Sequence, residues 1–214
     1  MKETFDQKLK ISELENKNSF PSWWNSSYGP WNPSWGYHNF AFPESILLNP
    51  HFYQLIQSWL PSPRLWTLLY RASRDGYTAS QFHSRCNNSG PTITIFKSSS
   101  NLFGGYNPNN WTSSGGYQNG GGSFIFTLVN PRGNPPTVFR WKTSSGHGPY
   151  DDASRHANFG GGHDIYICDN PHSSASSYTN FPCSYEDTLG FGQATFTGAY
   201  NGWCVNEIEV FRVN

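Results

Sequence analysis

Five short segments alternate apolar and polar residues with a period of two: "TITIFK" (92–97), "SFIFTLV" (123–129), "TVFRWK" (137–142), "DIYIC" (164–168) and "VNEIEVFRV" (205–213). Successive side chains of a strand point to opposite faces, so this spacing buries one row of each segment and offers a helix no continuous stripe. "LWTLLYRA" (65–72) reads as a further strand, and loops rich in Gly, Asn and Ser join the set. Strands of this size, so connected, predict a mainly β (α+β) fold, a β-sandwich of two antiparallel sheets flanked by a few helices.

The helices are legible from their caps. Asn49-Pro50 is an N-cap and N1 pair, Phe52, Leu55, Ile56 and Trp59 share one face, and Pro61 ends the run. Ser45 can cap a turn just before it. Thr78 caps a second helix of one to two turns that closes at Cys86, with Phe82 and Cys86 at i, i+4.

Composition narrows the partners. Aromatic residues make up 17% and charged residues 13%, with 14 basic and 14 acidic side chains. A neutral chain without a basic stripe fits neither nucleic acid nor an anionic membrane surface. No run of 18 apolar residues could insert in a bilayer. The opening "MKETFDQKLKISELENKNSF" has no apolar core of a secretion signal, so the expected location is cytoplasmic. Cys86, Cys168, Cys183 and Cys204 form no CxxC pair, which favours free, mostly buried thiols in a reducing compartment over the disulfide framework of an exported chain. The sequons at Asn25, Asn87 and Asn110 are expected by chance in a chain so rich in Asn and Ser.

Three regions follow. Residues 1–18 read as a short polar helix or coiled-coil stub, with Phe5, Leu9, Ile11 and Leu14 apolar. Residues 19–44 are rich in Trp, Pro and Gly and cannot stay solvated at that aromatic density. They must pack on the chain's own domain or on another subunit, and Trp23, Trp24, Trp31, Trp35 and the later Trp59 are the assembly candidates; an oligomer is therefore expected. A stacking platform for sugars or proline-rich ligands is the alternative. Residues 45–214 form the folded domain.

Several stretches of that domain are recognisable together. "LLYRASRDGYTASQFHSRCNNSGPTITIFKS", "FGGY" followed by a Trp, "FGGGHDIYICDN", "SSYTNF" and "VNEIEVFRV" occur in this order and resemble the TLDc domain, in the protist-type form where a coiled coil or helix precedes it. The matching positions are Ser73, Arg74, Asp75 and Gly76; Phe82, His83 and Cys86; Gly90 and Pro91; Phe103, Gly104 and Gly105; Phe159, Gly160, Gly162, His163 and Asp164; and Glu207 and Glu209. The resemblance implies a β-sandwich, a role in resistance to oxidative damage, and in several members binding to the vacuolar proton-pumping ATPase, with no catalytic reaction attached. The Trp-rich segment has no counterpart in that domain, and Trp203 and Cys204 stand where plainer residues are expected.

Several side chains could carry chemistry. His83 and Cys86 at i, i+3 could present two ligands to a zinc ion, but a structural site needs four. His147, His156, His163, Asp164 and Asp169 could add others, although a strand between Asp164 and Asp169 would hold them about 17 Å apart. No metal or other cofactor is expected. Cys86 shares an apolar face with Phe82, which suits a buried thiol better than a nucleophile. Cys183 and Cys204 lie in loop-like sequence and are the thiols most open to oxidation. Glu207 and Glu209 lie about 7 Å apart on one strand face, a spacing that glycosidase carboxylates approach, yet pairing with Arg71 or Arg140 is the expected arrangement. Arg74 and Asp75 are expected to fix the turn before the second helix.

"FGGGHDIYICDN" has glycines that lead into a strand and no following Lys, unlike a phosphate cradle. They let the chain turn tightly, and His163 and Asp164 are expected to hold the loop by hydrogen bonds. The sum is a non-enzymatic interaction module. The alternatives are a structural subunit of an oligomer or filament, and a thiol-based peroxide-protective protein using Cys86 or Cys204.

Overall fold

A computed structural model describes residues 43–214. The helix expected at 1–18 and nearly all of the Trp-rich segment, including Trp23, Trp24, Trp31 and Trp35, lie outside the described residues.

The protein is mainly β. Strands β1 (Trp66–Arg71), β2 (Thr92–Ser98), β3 (Asn101–Asn107), β4 (Phe124–Val129) and β5 (Thr137–Arg140) join the C-terminal Glu207–Val213 strand in one antiparallel sheet. That last strand lies between β1 and β2. Both faces are covered, which explains why β4 is nearly all apolar: Phe124, Phe126 and Leu128 enter one core and Ile125 the other.

Helix α1 (Pro50–Trp59) covers the first face. Asn49 accepts a hydrogen bond from Phe52 N at 2.8 Å, Pro50 starts the helix without wasting a donor, and the chain turns extended at Leu60, before Pro61. Its buried row is Phe52, Tyr53 and Ile56, continued by Leu60. The expected Leu55 is only half-buried, because the helix rolls to seat Tyr53 edge-on against Trp66, ring centroids 4.9 Å apart. Trp59 is half-buried against Phe124 and Phe126.

The second face carries helices α2 (Ala72–Asp75) and α3 (Ala79–Cys86) and a layer built from short pieces. These pieces are β6 (Pro149–Tyr150) paired with β7 (Asn158–Phe159), and β8 (Ser177–Tyr178) paired with β9 (Asn201–Trp203). The C-terminal strand of the main sheet is thus β10. Thr78 and Gln81 form a reciprocal capping box on α3. The expected strand at 164–168 is reduced to two isolated bridges, Phe159 with Ile165 and Tyr166 with Tyr178. Ile165 and Ile167 nonetheless enter the core as the alternation requires.

Strand β3 escaped the period-two reading because Gly104 and Gly105 interrupt it. Here the sheet is too crowded for a side chain. A Cβ on Gly104 would lie 2.0 Å from the Thr94 carbonyl oxygen, and one on Gly105 would lie 2.6 Å from the Phe159 ring. Gly105→Val is therefore expected to destabilise the domain by about 1–3 kcal/mol through overpacking, read as a lower urea midpoint. An unchanged midpoint would remove the Phe159 contact as the reason for this glycine.

Candidate functional site

Three backbone hydrogen bonds close the Phe159–Ile165 turn. Phe159 N donates to Ile165 O at 3.0 Å, Ile165 N donates back at 3.1 Å, and His163 N closes an inner turn on Gly160 O at 3.0 Å. So tight a reversal needs left-handed backbone at Gly160 (φ 83°), Gly162 (φ 63°) and His163 (φ 66°). Glycine accepts this without cost; His163 does not. Gly160 is also sterically required, since a Cβ there would fall 1.8 Å from Asp164 Oδ2.

Every amide of the glycine run is already bonded. Gly160 N donates to Gly148 O, Gly161 N to Ser184 Oγ and Gly162 N to the Tyr117 hydroxyl. No amide is left to cradle a phosphate, so the turn is a structural hub.

Asp164 is fully buried beneath it. Its Oδ1 accepts from Cys183 N at 2.6 Å and its Oδ2 from Ser184 N at 2.8 Å, which ties the 180–185 loop to the turn. Burial pushes this carboxyl up to about 7, against the opposing pull of the two amides and the Lys142 charge. His163 O and Asp164 O complete the tie by accepting from Asn180 N and the Thr179 hydroxyl. Asp164 therefore holds the loop as expected, whereas the His163 ring does something else.

That ring lies among four tyrosines, three of them from distant segments and the fourth, Tyr166, three residues along the chain. Its centroid is 4.9 Å from Tyr150, 5.2 Å from Tyr166, and 6.1 Å from both Tyr117 and Tyr178. Tyr166 and Tyr178 stack at 4.4 Å with 19° between their planes, and Tyr200 follows at 6.2 Å from Tyr178. The Arg155 guanidinium covers the Tyr166 ring at 5.2 Å. Tyr117 and Tyr200 are 39% and 44% exposed, so the group forms an aromatic surface. None of these tyrosines was singled out by sequence reasoning. They come from scattered segments, and a surplus of 12 tyrosines was the sole trace of them.

The other motif residues are absorbed by structure. Arg74 grips Asp75 at 2.8 Å, and Arg85 meets the same carboxylate at 3.1 Å. Asp75 also accepts from Arg71 N at 3.0 Å, while Arg74 donates to Leu69 O at 3.1 Å. The pair thus occupies peptide groups of edge strand β1 as a neighbouring strand would, and fixes the turn as expected. Ser73 N donates to Glu207 at 3.0 Å, and Gly76 (φ 100°) lies where a Cβ would strike Gln81. Phe82 fills the core between Tyr70 and Trp111. Gly90 (φ 87°) donates its amide to Asn110, and Pro91 O accepts from Val213 N. Phe103 packs on Phe96 and Trp203, which gives the unexpected Trp203 a core role.

His83 and Cys86 do not meet. The His83 ring nitrogens lie 2.8 Å from Asn87 Oδ1 and 2.9 Å from the Asp152 and Arg155 carbonyl oxygens, while Cys86 is fully buried with its thiol pushed upward by burial. Asn87 is bonded to both His83 and Ser113, which holds its side chain inside the fold. All four cysteines are free; Cys183 is exposed and Cys204 half-exposed. Burial and the Asp164 charge raise the Cys183 thiol, so it is a poor nucleophile.

Glu207 and Glu209 are buried rather than solvated. Glu209 pairs with Arg71 at 2.8 Å; Arg140 instead lies over the Phe124 ring. Among the described residues, no cluster of three or more His, Cys, Asp or Glu could hold a metal ion. An open groove of about 500 Å³ at the start of α3 is lined by Thr78, Ser80, Ser154, Arg155 and Asp169. Asp169 already accepts from Ala79 N there at 2.7 Å, in the place an anion would take. No helix of the described residues is long and apolar enough to cross a membrane.

A family model of the TLDc domain matches residues 42–214. No curated protein matches the chain.

Proposed function

Because the chain belongs to the TLDc domain family, we propose that it is a non-enzymatic protein-interaction module of that type, acting inside the cell. The observation that carries this reading is the exposed tyrosine surface built on the Phe159–Ile165 turn. Tyrosine supplies large contact area at low entropic cost and is enriched where interfaces concentrate their energy. Asp75, Asp164, Glu209, His83 and His156, the groups that could do chemistry, are each engaged by backbone or charged partners inside the fold.

The partner implied by the family resemblance is the vacuolar proton-pumping ATPase, and tolerance to oxidants is the outcome implied with it. Purified chain titrated against the assembled pump should bind, and Tyr117→Ala with Tyr200→Ala should weaken binding by about tenfold or more in a chain that circular dichroism shows still folded, the thermal midpoint falling only by what the lost Gly162 N acceptor costs. Binding that the double variant leaves intact would move the partner surface elsewhere. Failure of the unaltered chain to bind would remove the pump.

A second reading, an oligomer or filament subunit, rests on the aromatic density of residues 19–44. Solution mass with and without residues 1–43 tests it, and equal monomeric masses would exclude it. The thiol-based peroxide reading is weakened by the burial of Cys86 and the raised Cys183 thiol.

A further inference from the structure

The two edges of the main sheet are guarded differently. At β5, Arg140 O accepts from Glu186 N at 2.9 Å and Lys142 N donates to Ser184 O at 2.8 Å, so the 184–186 segment closes the strand end, and Pro135 and Pro136 guard its start. At β1, Asp75 takes Arg71 N and Arg74 takes Leu69 O, which closes the second half of the strand alone. Residues 61–65 and Thr67 are exposed. The register fixes which peptide groups are open there. Asn214 N donates to Leu65 O at 3.0 Å, and Thr67, in the same phase, pairs with Arg212, so these residues direct their peptide groups to β10. Val213 N donates to Pro91 O at 2.9 Å, away from β1, and Phe211 is in the same phase opposite Ile93. Trp66 and Leu68, which face Val213 and Phe211, therefore turn their N–H and C=O groups outward, and no described residue bonds them.

We propose that the open run Trp66–Leu68 pairs with the same run of a second copy of this chain, antiparallel about a two-fold axis at Thr67. The open donors and acceptors are symmetric about Thr67, which is what an isologous contact requires. In that register Trp66 of one copy meets Leu68 of the other, and each such pair exchanges two N–H to O=C bonds. Thr67 faces Thr67 as the non-hydrogen-bonded pair, with Cα atoms about 4.5 Å apart. A slip by one residue would set these open groups against groups already bonded to β10, so the register is specified. Leu65, 53% exposed, comes against Leu69 of the second copy. Arg74 and Asp75 stop the ladder beyond this run, so two sheets join and the pairing closes on itself. A contact this short falls well under the about 800 Å² per partner of a standard interface, so the dimer is weak and its population rises with concentration. The pairing uses neither the tyrosine surface nor residues 1–43, and its test stands apart from both readings above.

The test uses the full chain with the two more open thiols removed, Cys183→Ser and Cys204→Ser. Under a mild oxidant, Thr67→Cys in that chain should form an interchain disulfide about tenfold faster than Ser62→Cys, because facing residues of a non-hydrogen-bonded pair have the Cα spacing a disulfide needs and the exposed loop position does not. Amide exchange with deuterium is then followed in the unaltered chain from micromolar to millimolar concentration. Trp66 and Leu68 amides should exchange several-fold more slowly as concentration rises, while the Thr67 amide, already paired with β10, should not respond. Thr67→Lys sets two like charges face to face at an exposed position and should abolish that concentration dependence in a chain that circular dichroism shows folded. Equal crosslinking at positions 62 and 67 would overturn the proposal. So would exchange at Trp66 and Leu68 that ignores concentration, the result expected if this edge instead takes an extended peptide of a different protein.

Discussion

Replacing Glu209 by alanine is expected to cost about 3–5 kcal/mol of stability, the range for removing one partner of a buried ion pair. Glu209 is fully buried. Its Oε1 accepts from Arg71 Nε at 2.8 Å and Ile46 N at 3.0 Å, and its Oε2 accepts from the Ser45 hydroxyl at 2.5 Å. Ser45 Oγ in turn accepts from Leu47 N and Leu48 N, so one carboxylate anchors the whole entry into α1. Without it, the Arg71 side chain, 10% exposed, keeps Glu44 as its ion-pair partner, and Glu44 is 76% exposed and so a weak one. Arg71→Met with Glu209→Leu should recover much of the loss, because an apolar pair leaves no uncompensated charge. Urea unfolding measures both. A loss below about 1 kcal/mol for Glu209→Ala would show that the network is not closed as described.

The second large effect concerns pH and involves two groups of opposite sign. Asp164 has a folded pKa of about 7, above the value near 3.9 of an unfolded aspartate. Its contribution is fully present below about pH 4 and is lost as pH rises through 7, because over that window the folded state holds the extra proton. His156 is buried and lowered to about 4, with the Tyr77 carbonyl oxygen 3.0 Å from its Nε2. Here the unfolded chain binds the extra proton, so stability is lost as pH falls from about 6.5 toward 4. The two slopes oppose each other across pH 4–6.5, and the unaltered protein should show a muted response there. Asp164→Asn leaves the histidine slope, so stability should climb with pH by up to about 1.4 kcal/mol per unit. His156→Phe leaves the aspartate slope and should reverse that sign. Parallel profiles for the two variants would refute the assignment. Asp164→Asn should also lose about 1–3 kcal/mol at any pH, since its amide would face the Cys183 or Ser184 N–H.

Much of the fold was legible in the chain because the relevant physics is local. Alternation placed β2, β4, β5 and β10, and the Asn49-Pro50 and Thr78 caps placed α1 and α3. Strand β3 was missed for a long-range reason, since Phe159 and the Thr94 carbonyl remove the side chains that would have marked it. The 164–168 strand dissolved because Asp164 has to reach the 180–185 loop, which bends the segment after the turn. An arginine partner for the Glu207/Glu209 pair was legible as a choice between Arg71 and Arg140, which the structure decides for Arg71 on Glu209; the burial was not legible, because it depends on the Ser45–Leu48 segment lying across the sheet edge.

The candidate site divides the same way. Motif spacing singled out Gly160, Gly162, His163 and Asp164, and the turn they form needs no distant residue to explain its glycines. The tyrosine surface could not be read from spacing, because Tyr117, Tyr150, Tyr166, Tyr178 and Tyr200 meet only after β6, β7, β8 and β9 pair.

The sequence by itself determined the secondary periods, the helix caps, the neutral charge and the family, because these reside in neighbouring residues and their order. Tertiary structure alone decided which carboxylates are buried and that a histidine holds a left-handed backbone among phenols. Such properties belong to contacts between segments far apart in the chain, where desolvation and packing, rather than local preference, set the energy.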